Sequence, residues 1–137
     1  MITVVSMLLV AVTLQGGTPA IRSLDRGDQS NIDDARQAVA RTEAEFTALW
    51  RQHAPDRPAP TVDFPREIVV GVFLGSRPTA GFAVNIVGTR EEKGALVVQY
   101  RETRPPRGLV TAQVITSAYH IVAIPSRQGD VKFESVQ

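Results

Sequence analysis

Cysteine is absent from this chain of 137 residues. That excludes a thiol nucleophile, a thiolate-bound zinc, an iron–sulfur centre, a disulfide framework and lipid attachment through an N-terminal cysteine. An excess of charge is lacking too: 15 Lys and Arg stand against 14 Asp and Glu, and the basic residues are spread along the chain. A net charge of +1 gives no reason to expect a nucleic-acid partner. No apolar run reaches the ~20 residues of a membrane-spanning helix, so no span is expected in the mature chain. Histidines are few, and His53 and His120 form neither H-x-H nor H-E-x-x-H spacing, so neither a metal nor a cofactor is expected.

Catalytic motifs are missing as well. Ser30, Ser76 and Ser117 sit in no G-x-S-x-G elbow. Gly75 to Gly81 lacks the Gly-Lys-Ser/Thr ending of a phosphate loop and precedes a strand rather than a helix. Asp63 and Glu67 are separated by Pro65 at the entry to a strand, where Asp63 is better placed to bond local backbone amides than to act in a carboxylate pair. The acidic residues of Asp25–Asp34 miss calcium-loop spacing, and Arg26-Gly27-Asp28 is too short a match to carry an adhesion function. The expectation is a protein without a catalytic set.

What is present begins with Val4–Leu14, uncharged and almost wholly apolar, followed by small residues up to Ala20. This pattern predicts a secretory leader over residues 1–20, and therefore an exported protein, periplasmic or extracellular. No Lys or Arg precedes the run, so a start further upstream or a buried first strand stays open as the alternative. Residues 21–137 then have room for a single domain with one core.

Ile21–Leu24 alternates weakly and reads as an edge strand; Asp25–Asp34 reads as a polar loop; Ala35–Arg41 reads as a short strand, with a helical extension as the alternative its Ala and Arg content leaves open. Thr42-Glu43-Ala44-Glu45 is a capping box, with Glu45 expected to reach back to the Thr42 amide. Phe46, Leu49, Trp50 and His53 then form one apolar helical stripe, which must stop near Ala54 because Pro55, Pro58 and Pro60 follow. Trp50 and His53 are expected to pack or cap rather than bind.

Ile68–Leu74 is apolar on both faces and belongs at the centre of a sheet, with Gly71 marking a bulge or close packing. Phe82, Val84 and Ile86 alternate with smaller or polar residues, Glu91–Gly94 is a turn, and Leu96, Val98 and Tyr100 share a face. Leu109–Thr116 and Tyr119–Ile124 read as one broken strand or two, and Val131 and Phe133 mark a closing strand. The expected class is α+β: a mainly antiparallel β meander of about six to eight strands, sandwich- or roll-like, with one amphipathic helix near residues 42–54.

The tip Arg77-Pro78-Thr79-Ala80-Gly81-Phe82 lies between two well-patterned strands, where a rigid scaffold can present a loop. Phe82 is expected to anchor it, with Arg77 and Thr79 projecting outward; Arg104 and Arg107 supply a second Arg/Pro loop suited to an interface rim. A plain hairpin connection with Arg77 solvated is the alternative.

Val62-Asp63-Phe64, the apolar strand running to Gly75, Arg77–Phe82 and Thr116-Ser117-Ala118-Tyr119-His120-Ile121-Val122 together resemble the C-terminal domain of the protease complex subunit PrcB family. The resemblance reaches from about Ile21 onward and takes in Ser30-Asn31-Ile32 and the Phe46–Trp50 helix. Two departures stand out: Ala80 and Phe82 replace a Gly and a Tyr of the family's Pro-Thr-Gly-Gly-Tyr loop, and Ala118 replaces a Pro of its Ser-Pro-Tyr step. The resemblance implies an exported accessory domain that associates with and stabilises a protease or protease complex. A weaker, local likeness joins Arg77–Phe82 to the Asn-Pro-Thr-Thr-Gly-Tyr loop of chagasin-type cysteine-protease inhibitors, although Arg104-Pro105-Pro106 lacks the aromatic of their Arg-Pro loop. It implies an inhibitor as the alternative. A structural envelope domain with no protease function is the third reading.

Overall fold

The computed structural model describes residues 20–137; the leader expected over residues 1–20 lies, but for Ala20, outside the described residues. The order of elements is β1 (Arg22–Gly27), β2 (Arg36–Ala40), α1 (Glu43–His53), β3 (Glu67–Phe73), β4 (Ala83–Glu92), β5 (Ala95–Thr103), β6 (Tyr119–Pro125) and β7 (Val131–Ser135). They form a four-stranded sheet, β1-β6-β3-β2, and a three-stranded sheet, β4-β5-β7. Four of the strand pairs are antiparallel and β5–β7 is parallel. The α+β class, the sandwich and the one helix among the described residues are therefore those expected. The strands interleave, however, so that sequence neighbours often lie in different sheets.

The sheets pack face to face through Ile68, Val70 and Val72 of β3, Val122 and Ile124 of β6, Val84 and Ile86 of β4, and Leu96 and Val98 of β5. The opposite face of the four-stranded sheet, formed by Val69, Phe73, Tyr119 and Ile121, is covered by Phe46, Leu49 and Trp50 of α1. Strand β3 is thus buried on both sides, as its unbroken apolar run requires. Gly71 is not at a bulge; a Cβ there would lie 3.0 Å from the Phe73 ring, which crosses it on the helix side.

Helix α1 starts where the capping box places it. Thr42 Oγ1 accepts from the Glu45 amide at 3.2 Å, while the Glu45 carboxylate accepts from Arg41 N rather than Thr42 N, at 2.9 Å. The hairpin between β4 and β5 turns on Lys93 and Gly94 alone, with φ of 49° and 82°, a type I′ geometry. Glu91 and Glu92 consequently remain in β4 instead of forming the expected turn.

Two further expectations are corrected. Asp25–Gly27 continue β1 instead of opening a loop. Leu109–Ile115 form no strand: only Thr116 and Ser117 make isolated bridges, because β1 ends before it can flank this segment.

His120 joins the two sheets. Its Nδ1 accepts from Ile86 N on β4 at 2.8 Å, so Nε2 carries the proton and donates to Ser23 Oγ on β1, 2.9 Å away. Burial, aided by the Arg26 charge, pushes its pKa down to about 4. A histidine depressed from 6.5 contributes stability that is complete above pH 6.5 and lost as pH falls towards 4, about 3 kcal/mol in all. The His120→Gln variant should show a flatter dependence of urea-unfolding free energy on pH over this window; an unchanged slope would remove His120 as its source.

Candidate functional site

The loop singled out in the sequence is held at one end of the sandwich. The chain leaves β3 through Gly75, whose φ is 77° and whose position admits no Cβ, since one would lie 2.6 Å from Ala35 N. Ser76 N then bonds Asp33 O, and Arg77 and Thr116 exchange backbone bonds of 2.8 and 3.0 Å. Ala80 N donates to Ala112 O, and Thr116 Oγ1 donates to Thr79 O. Gly81, with φ 98°, lies against Pro105; a Cβ would approach that ring's Cβ to 2.8 Å. Three segments, 75–82, 104–108 and 109–116, therefore form one surface.

Each expected residue has a place on it. Phe82 is half-buried against the core between the sheets. The Arg77 guanidinium lies 5.2 Å from the centre of the Phe82 ring and 3.1 Å from Glu102 Oε1, the oxygen that also holds Arg104 Nε at 3.3 Å. Arg77 thus folds back on the scaffold rather than projecting outward. Thr79 does likewise, since its hydroxyl donates to Ala80 O. Ala80 is half-buried; Pro78, Gly81, Arg104 and Arg107 are exposed, and Arg107 makes no ion pair among the described residues.

Sequence reasoning missed the most exposed part of this end. Leu109 is 63% exposed, Ile115 71% and Val110 fully so, with Val114 beside them. Residues 76–82 and 103–116 together contain Arg77, Arg104 and Arg107 and no carboxylate. With Glu102 pairing Arg77 and Arg104, the end is apolar with a modest excess of positive charge. Beside it, an open groove of about 340 Å³ runs between Arg36 and Gln37 of β2 and Tyr100, Glu102 and Arg77.

A second cluster was also invisible in the sequence. Strand β1 bulges between Ser23 and Asp25, and the extra residue turns Asp25 onto the helix side of the sheet. There Asp25 Oδ2 lies 2.9 Å from His53 Nε2, while His53 Nδ1 lies 2.7 Å from Ser30 Oγ. These residue types are those of a hydrolase triad, but this set is sealed inside the protein. His53 is 0% exposed, packed against Trp50, Phe73 and Tyr119, and Ser30 is 8% exposed. The bonding is complete: His53 Nε2–H donates to Asp25, Ser30 Oγ–H donates to Nδ1, and Ser30 Oγ accepts from Ile32 N. Burial lowers the His53 pKa against the opposing pull of Asp25. Burial also pushes Asp25 up, but bonds from Arg57, His53 and Tyr119 outweigh it and hold the carboxyl below its ordinary value. Among the described residues no three metal-ligating side chains gather, and no helix is long and apolar enough to cross a membrane.

The chain is thus a helix-backed β-sandwich that presents three interlocked segments at one end. Residues 68–125 match the family model described as PrcB C-terminal, which bears out over this stretch the resemblance drawn from the sequence. The match runs from β3 to β6 and takes in all three segments of the site; β1, β2, α1 and β7 lie outside it. No curated protein and no solved structure matches the chain.

Phe82→Ala should cost about 2 kcal/mol in urea unfolding by emptying a half-buried site, whereas Arg77→Ala should cost under about 1 kcal/mol, its ion pair being near the surface. Equal losses would contradict the anchoring geometry. For the buried cluster, His53→Phe should cost about 2 kcal/mol by leaving the buried Ser30 hydroxyl without its acceptor and removing one of the bonds to Asp25, which keeps Arg57. A neutral result would mean that the cluster contributes nothing to stability.

Proposed function

We propose that this chain is an exported, non-catalytic protein-binding domain, an accessory or stabilising partner of a protease complex. Its contact surface is the end formed by residues 75–82 and 104–116. The observation that carries this reading is that end itself, where exposed Leu109, Val110, Val114 and Ile115 adjoin the exposed Arg104 and Arg107. Exposed apolar side chains grouped beside arginines have the make-up of an interface. The PrcB C-terminal match, which spans the whole surface, supplies the link to a protease complex. Absence of catalysis is supported by the sealing of Ser30 and His53, which leaves a substrate no approach to the serine oxygen.

A tagged chain beginning at Ile21, used as bait in native envelope and secreted fractions, tests this. The expected result is an identified protease retained in active form by the wild type and lost with Arg104→Glu/Arg107→Glu. A protease blocked at near-stoichiometric ratio would replace this reading with that of an inhibitor. A folded bait that retains no protease would overturn both.

A further inference from the structure

The backbone beside the exposed apolar side chains has one used edge and one unused edge. At Thr116 the N–H and C=O point to Arg77, and Ala112 O, four residues earlier, accepts from Ala80 N on the same side. The alternate residue Ser117 points the other way, where its N–H and C=O bond Asp28 and Ser30. In an extended chain Ile115 and Gln113 share the direction of Ser117. Beyond residue 30 the chain goes to the helix, where Asn31 N donates to His53 O, and neither Gln113 nor Ile115 forms a backbone hydrogen bond among the described residues. Residues 113–115 form no strand of their own; they lead into the Thr116 and Ser117 bridges ahead of β6 as an unpaired backbone edge, with Val114 and Ile115 exposed. Such an edge, unprotected by proline or by a charge within 109–116, is a template for strand addition.

We propose that the outer edge of Gln113–Ile115 receives an extended segment of a partner protein as an added strand, and that this segment carries carboxylates among apolar residues. The proposal rests on the protein-binding reading above and names the partner's chemistry. Backbone pairing supplies affinity, Val110, Val114 and Ile115 supply apolar contact, and Arg104 and Arg107 select for acidic side chains. Two carboxylates compete for these arginines: Glu102, held by Arg77 and Arg104, and Asp28, whose backbone oxygen accepts from Ser117 N.

The test is a titration of the chain from Ile21 with a blocked decapeptide alternating valine and glutamate, read by fluorescence anisotropy and amide chemical shifts. Its lysine counterpart is the control. The glutamate peptide should bind at least about tenfold more tightly and shift the amides of residues 109–116, and added salt should weaken it. Ile115→Pro, which removes one outer N–H from an exposed segment, should abolish binding while leaving the thermal melt unchanged. Arg104→Glu/Arg107→Glu should reverse the preference between the peptides. No binding, equal binding of both peptides, or shifts confined to the β2 or β7 edges would overturn the proposal. So would a concentration-dependent dimer that is lost in Ile115→Pro and not displaced by peptide, since the occupant would then be a second copy. Peptide binding with no protease retained by the bait would sink the proposed function alone; a retained protease with no peptide binding would sink this inference alone.

Discussion

Burying both faces of β3 obliges the rest of the chain to supply two different covers. Its even-numbered residues, Ile68, Val70 and Val72, meet the three-stranded sheet, and its odd-numbered Val69 and Phe73 meet α1. Each such side chain contributes about 1.5–3 kcal/mol when fully buried, so neither cover is dispensable. The helix amphipathicity and the alternation of β4 and β5 follow from this arrangement. So does the location of the loops: β3 is anchored along its length, and the chain leaving it at Gly75 must turn at one end of the sandwich, where later segments cross it.

Polar groups inside this frame act as fasteners. His120 bonds the edge of β4 to β6 and β1, and His53 bonds α1 to β1 and to the segment carrying Ser30. In both cases a neutral imidazole accepts at Nδ1 and donates at Nε2, the state that burial favours. The resulting rigidity matters for the three-segment end, since a surface bound to a fixed scaffold loses less conformational freedom on association than a free loop does.

Local pattern made much of the fold legible. The capping box, the Phe46–His53 stripe and the two-faced apolar run of β3 each follow from spacing within a few residues. Long-range placement was not legible. No spacing announces the bulge after Ser23, yet that extra residue alone carries Asp25 to the helix side and to His53. Leu109–Ile115 has strand composition but lacks a neighbouring strand, a property of where β1 ends rather than of its own residues. Part of the candidate site was read correctly as a loop between strands; its apolar half was missed because Leu109–Thr116 was read as a strand.

The uncovered edge is where the sandwich and its proposed role meet, since the same termination of β1 that ends the sheet leaves Gln113 and Ile115 open to a partner. Amide hydrogen exchange on the isolated chain is the most direct test. Slow exchange throughout β3 and β6, with near-intrinsic rates at Gln113 and Ile115, is the predicted pattern. Strong protection at Gln113 and Ile115 in the free chain would contradict the account, because the edge would already be occupied from within.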